Sequence, residues 1–154
     1  MTILVDSREQ NPLDLSPLKT KIATLSTGDY SCLGLENVVA IERKSLSDLI
    51  GCIGRERERF EKEMHRILAY PVRALIVEAD WSTIELAQYR GTVPPNAVLG
   101  SLMGWIAQGI PVIMIGDHNR ASKWVSRMIF LAAKRRYMET LPMLENLIES
   151  SAES

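Results

Sequence analysis

Short apolar runs bounded by turn residues fill the N-terminal third of the chain, and apolar residues at helical spacing fill most of the rest. The pattern predicts strands first and helices after. A strand over 2–5 runs into the polar cluster Asp6-Ser7-Arg8-Glu9, and Asn11-Pro12 and Ser16-Pro17 predict a loop beyond it. Strands follow over 21–25, 30–33 and 38–43, with Gly34 and Asn37 marking a hairpin turn between the last two. Ser45 predicts the N-cap of a short helix ending near Gly51, and a longer helix over 55–70 is stopped by Pro71. The remainder reads as a strand over 72–77, a helix over 82–88, a helix over 95–108 ending at Gly109, and a buried strand over 111–115. The longest helix, 119–137, comes last, and Pro142 is expected to separate a short acidic C-terminal helix. Strands flanked by helices, with early antiparallel hairpins, predict a mixed sheet in a three-layer α/β domain.

Two helices carry more than a packing stripe. Between 55 and 70, Phe60, Met64, Ile67 and Leu68 form one apolar stripe. Arg55, Arg59, Lys62 and Arg66 lie opposite it. They read either as a basic stripe for DNA phosphates or as a solvated face stitched by Glu58–Lys62 and Arg59–Glu63 pairs, each worth a few tenths of a kcal/mol. In the last long helix Trp124, Val125, Met128, Ile129, Leu131 and Ala132 cover nearly half the circumference, with Phe130 outside that arc. One packing face needs a narrower stripe. The sheet on one side and a second copy on the other is the preferred reading, giving a homodimer through 119–138.

With 154 residues, 46% hydrophobic and 24% charged, the chain is long enough for one domain with a sizeable core. It has no bilayer-length apolar run and no signal-peptide pattern, so a soluble, cytoplasmic protein is expected. Cys32 and Cys52 read as small buried hydrophobes of a reducing compartment. A net charge of −1 argues against a simple nucleic-acid binder, but the charge is unevenly spread. Residues 117–140 hold six bases against two acids, whereas 141–154 hold Glu145, Glu149 and Glu153 with no base. The expected division is a main domain over 1–140 and an acidic helix or tail over 141–154.

The chemistry concentrates in Gly28-Asp29-Tyr30 and Ile41-Glu42-Arg43-Lys44. Side chains alternate along a strand, so Glu42 and Lys44 should share a face and Arg43 the other. A turn that folds Asp29 beside Glu42 brings two carboxylates and an ammonium together. Two hard oxygen ligands suit Mg²⁺, which keeps waters and accepts phosphate oxygens. A lysine beside such a water can lower its pKa or stabilise charge developing at phosphorus. A charged pair inside an apolar strand costs several kcal/mol unless it is matched or binds a metal.

Val5-Asp6-Ser7-Arg8-Glu9, Gly28-Asp29-Tyr30 and Ile41-Glu42-Arg43-Lys44-Ser45-Leu46-Ser47-Asp48-Leu49, in that order, resemble the signature of the XPF-family nuclease domain of the PD-(D/E)XK superfamily. The similarity extends more weakly over 2–138. It implies a three-layer, restriction-endonuclease-like fold with a central mixed sheet flanked by helices. It also implies Asp29 and Glu42 as metal-binding carboxylates for Mg²⁺ or Mn²⁺, and Lys44 as the residue that positions or activates the attacking water. Asp6 and Glu9 become ligands or supports at the metal. Arg8, Arg43 and Asp48 complete the polar cluster, Arg43 by bracing Asp6 or Asp48 and Asp48 with a second reading as the acid of a capping box after Ser45. His65 and His118 do not read as ligands, and Glu78 and Asp80 read as solvated strand-end acids. Trp105 and Trp124 read as core or interface residues.

The expected activity is metal-dependent endonucleolytic hydrolysis of DNA, on branched or flap-like substrates in repair, recombination or replication. Members of the resembled family that cut branched DNA usually carry a tandem helix-hairpin-helix module after the nuclease domain, and this chain leaves room for only one short acidic helix before Ser154. Met1 fits a natural start, and the chain is either a fragment or a stand-alone nuclease targeted by a partner protein. The alternative class is a catalytically idle DNA-binding or scaffold subunit; such paralogues lose acids that this chain keeps. Divalent-metal binding separates the two.

Overall fold

The computed structural model of the protein describes residues 1–152. Six strands form one mixed sheet in the order β2-β1-β3-β4-β5-β6: β1 (Thr2–Asp6), β2 (Lys19–Ala23), β3 (Tyr30–Cys32), β4 (Val39–Ser45), β5 (Val72–Glu78) and β6 (Val112–Met114). β1 runs antiparallel to β3, and β3 antiparallel to β4, while β1/β2, β4/β5 and β5/β6 pair in parallel. Helices α1 (Leu46–Ile53) and α2 (Arg57–Ile67) join β4 to β5, α3 (Trp81–Glu85) and α4 (Pro95–Ala107) join β5 to β6, the loop over 7–18 joins the parallel β1 and β2, and α5 (His118–Ala152) ends the described chain. Parallel neighbours need such crossovers, whereas the antiparallel β3–β4 pair needs only a tight turn.

Strand alternation divides the core in two. Ala40, Leu75 and Val77 face a cluster with Leu49, Phe60, Met64, Leu102 and Trp105 from α1, α2 and α4. Val39, Ile41, Ala74 and Ile76 face the opposite cluster, where Ala121, Val125 and Ile129 of α5 and Leu13 and Leu15 of the first loop cover the sheet. The three-layer α/β fold expected from the sequence is therefore the fold observed. Phe60 and Trp105 meet edge to face at 5.2 Å between ring centres, tying α2 to α4. Both cysteines are buried and unbridged, and no helix among the described residues is long and apolar enough to cross a membrane.

Three expectations need correction. The helix over 55–70 is shorter, Arg57–Ile67, with Arg55 in the preceding turn. The strand over 21–25 lies at 19–23, in register with β1. Pro142 does not separate a C-terminal helix: it lies inside α5. Proline removes one helical N–H and crowds the carbonyl four residues back, but this stretch is solvent-exposed, so water satisfies the freed carbonyl. The acidic residues Glu145 and Glu149 therefore continue the same helix, and Glu153 lies outside the described residues.

Candidate active site

The cleft lies where β1, β3 and β4 meet α2, and Gly28 makes it possible. Its φ is +78°, and a Cβ there would stand 3.0 Å from the Ile41 carbonyl oxygen. Only glycine combines that conformation with that approach. The Asp29 amide then donates to the Ile41 carbonyl at 2.8 Å, and the Asp29 carbonyl accepts from the Asp6 amide at 2.8 Å. The Arg43 amide donates to Asp29 Oδ2 at 2.8 Å. Asp29 is thus clamped between two strands, beside Glu42.

On β4 the alternation is as expected. Glu42 and Lys44 share the face toward α2, with Lys44 Nζ 2.6 Å from Glu42 Oε1 and 5.2 Å above the Phe60 ring. Glu42 is only 1% exposed, and its Oε2 has no hydrogen-bond partner among the described residues. Burial pushes the Asp29 carboxyl up to about 6, opposed by the Arg43 amide and Lys44. Burial and then the charge of Asp29 push Glu42 up to about 8, against the pull of Lys44. Burial lowers the affinity of the Lys44 amine for its proton, but Glu42 and Asp29 outweigh it and hold the ammonium firmly charged. One ammonium faces two carboxylates, so the pair is short of positive charge.

Arg43 points to the other face, with a role different from the one expected. It does not brace Asp6 or Asp48. Its Nε and Nη2 donate to the two oxygens of Glu9 at 3.0 and 2.8 Å, and its Nη1 donates to Glu78 Oε1 at 2.9 Å. His118 Nδ1 stands 2.7 Å from the same Glu78 oxygen. Glu78 is therefore a partly buried member of an Arg43-centred network, not the solvated acid expected; its neighbour Asp80 is exposed at the start of α3. Burial would raise the Glu9 carboxyl, but Arg43 more than compensates and lowers it. Glu9 also accepts from the Asn11 amide and Tyr30 hydroxyl, so it anchors the first loop rather than offering lone pairs to the cleft.

Asp6 is similarly engaged. Arg8 donates to it from its amide, Nε and Nη2, and the Leu25 amide donates to Oδ2 at 2.7 Å. Burial opposes ionisation, but these donors win and hold the carboxyl below its ordinary range. Of the two roles implied for Asp6, this geometry is that of a support. Asp48 accepts from the Ser45 hydroxyl at 2.7 Å, and its amide donates back to Ser45 Oγ at 3.2 Å. It thus holds the Ser45 cap from the first turn of α1 and also lines the cleft.

The cleft lining gathers Asp6, Arg8, Glu9, Asp29, Glu42, Arg43, Lys44 and Asp48, every catalytic candidate named from the sequence. Of the basic stripe only Arg59 reaches it; Lys62 and Arg66 on α2 and Arg55 in the turn before it lie outside, among Glu56, Glu58 and Glu61. Lys62 pairs with Glu58 as expected, but Arg59 pairs with Glu56 rather than Glu63. Glu63 instead lines the cleft. Sequence reasoning missed it because its spacing from Arg59 satisfied an ordinary surface pair.

Among the described residues no three His, Cys, Asp or Glu side chains already converge on one ion. The donor set nevertheless fits a hard divalent cation, because Glu42 Oε2 is a buried oxygen with nothing to accept from, next to a second carboxylate. Mg²⁺ needs only one or two carboxylates, its other positions going to water and phosphate.

Comparison with known proteins agrees with this geometry. No curated protein matches the chain significantly. XPF from Aeropyrum pernix has a similar structure, with a TM-score of 0.68 and 19% identity, over 86% of this chain and 61% of that one. That likeness carries the fold, and this chain spans less than two thirds of the longer one. Residues 5–128 match the ERCC4 domain, a stretch that holds every residue lining the cleft, and the chain accordingly belongs to the ERCC4 domain family of XPF-type nuclease domains.

Proposed function

We propose that the protein is a divalent-metal-dependent DNA endonuclease that hydrolyses phosphodiester bonds, with branched or flap DNA as substrate in repair, recombination or replication. The observation that carries this is the buried, unpartnered Glu42 Oε2 beside Asp29 and Lys44. An idle scaffold has no use for a buried carboxylate beside a second one at the cleft when one ammonium cannot neutralise both, and burying such charge destabilises the fold. Asp29 and Glu42 hold the cation, Mg²⁺ or Mn²⁺. When bound, it acidifies water and neutralises charge on phosphate oxygens. Lys44 orients the attacking water and stabilises negative charge at phosphorus, held in place by Glu42 and the Phe60 face. Asp6, Glu9 and Arg43 keep β1, β3 and β4 in register around the cleft. Arg59 and the exposed Arg8 at the cleft wall meet the DNA backbone.

The same reading includes a homodimer through α5. Trp124, Phe130, Leu131, Tyr137 and Met138 leave large apolar side chains in solvent on a helix whose other side is already buried by the sheet. Exposed apolar surface of this extent marks an interaction face. Targeting to a particular DNA structure by a partner protein belongs to the proposal too. Incubation with labelled flap, fork and plain duplex DNA in Mg²⁺, Mn²⁺ or EDTA tests it. Metal-dependent cutting near the junction supports the proposal, equal cutting of all three removes the substrate preference, and DNA binding without cutting in any metal favours the scaffold.

A further inference from the structure

Glu63 is a carboxylate without a role in the fold. It stands on α2, half-buried, and lines the cleft together with Asp29, Glu42 and Lys44. Its helical neighbour at i−4, Arg59, is taken by Glu56, and Glu63 has no hydrogen-bond or ion-pair partner among the described residues. Its charge reaches Asp29, Glu42 and the exposed Arg8, which all line the same cleft. Acids crowded in this way do not by themselves make a site. Here the neighbouring Glu42 Oε2 is buried, unpartnered and directed into the same cleft, which leaves a place for positive charge that the protein does not fill.

We infer that Glu63 is a third carboxylate of the cation site, acting on the ion through its hydration shell from the α2 side of the cleft. Direct ligation is not required: no three acidic side chains converge on one ion among the described residues, and the inference therefore places a water between Glu63 and the ion. Mg²⁺ retains several waters in protein sites, and partners of those outer positions commonly govern affinity by 10–100-fold. Glu63 is thus a positioning residue: it adds long-range attraction for the ion and accepts a hydrogen bond from its shell, while Asp29 and Glu42 touch the ion. The inference rests on the metal-dependent reading, and the test separates the two.

The test is titration of Mn²⁺ into the full chain by calorimetry, for the wild type, Glu63→Gln and, as a control on the outer face of α2, Glu58→Gln, with a thermal melt in EDTA for each. Glu63→Gln should weaken Mn²⁺ binding roughly 10-fold, melt no lower than the wild type in EDTA because a like charge has been removed, and regain affinity as Glu63→Asp only in part. Glu58→Gln should bind as the wild type does. Equal affinity of Glu63→Gln and wild type overturns the inference while leaving the metal reading intact. No Mn²⁺ binding by the wild type overturns both.

Discussion

Asp29→Asn should stabilise the metal-free protein while destroying its response to metal. The folded state holds a proton on Asp29 up to about pH 6, against an ordinary 3.8. A raised carboxyl contributes stability that is complete below its unfolded value and disappears as pH rises through the folded one. The wild type therefore loses that contribution between pH 3.8 and about 6, whereas asparagine stays neutral throughout and can still accept from the Arg43 amide. At 1.36 kcal/mol per pH unit the difference has a ceiling of about 3 kcal/mol. Because Asp29 and Glu42 titrate together, about 2 kcal/mol is expected above pH 7, or roughly 4–8 °C in melting temperature. The two proteins should converge near pH 4. Saturating Mg²⁺ should raise the wild type alone, by about 2.7 kcal/mol at one hundred times Kd. Melting curves by circular dichroism in EDTA and in Mg²⁺, across that pH range, measure all of this. A variant less stable than wild type at pH 8 in EDTA, or a difference that does not change with pH, would refute the reasoning that Asp29 is an uncompensated charge.

Other perturbations separate chemistry from scaffold. Lys44→Ala should lose about 10²–10³-fold in single-turnover cleavage with Mn²⁺ affinity retained or tightened, since a competing ammonium has gone; unchanged cleavage would remove Lys44 from the mechanism. Arg43→Ala strands Glu9 and Glu78, both largely buried, and should cost about 3–5 kcal/mol in urea unfolding; a loss below 1 kcal/mol would show that the network is weakly coupled. Trp124→Glu with Leu131→Glu changes residues that are half exposed, so the fold should hold while the mass in light scattering falls to that of one chain; an unchanged dimer mass would place the interface elsewhere.

What could be read from the chain was local. Period-two alternation is a property of any regular strand, so Glu42, Arg43 and Lys44 were assigned to their faces correctly without a structure. Gly28 and Asp29 likewise sit in a turn whose demand for glycine is written in the backbone. The partners of Arg43 were not readable. Glu78 reaches it because β5 runs parallel to β4 with Ser45 opposite Glu78, and His118 because α5 begins at that edge; both depend on tertiary register. Glu63 was hidden by a plausible i,i+4 partner that the helix start diverts to Glu56. Pro142 does not end the helix that its residue type predicts it to end, since its one lost hydrogen bond is cheap on an exposed helix. The fold class survived these errors because it rests on the order and spacing of apolar segments rather than on any single boundary.

The central claim is that the Asp29–Glu42–Lys44 cleft cuts DNA with a divalent cation. Single-turnover cleavage of a labelled flap substrate by wild type and Glu42→Ala, each in Mg²⁺ and in EDTA, with folding verified by circular dichroism, tests it most directly. Cutting by the wild type in Mg²⁺ alone, and none by a folded Glu42→Ala, is the predicted result. Cutting that persists in Glu42→Ala or in EDTA would contradict the account.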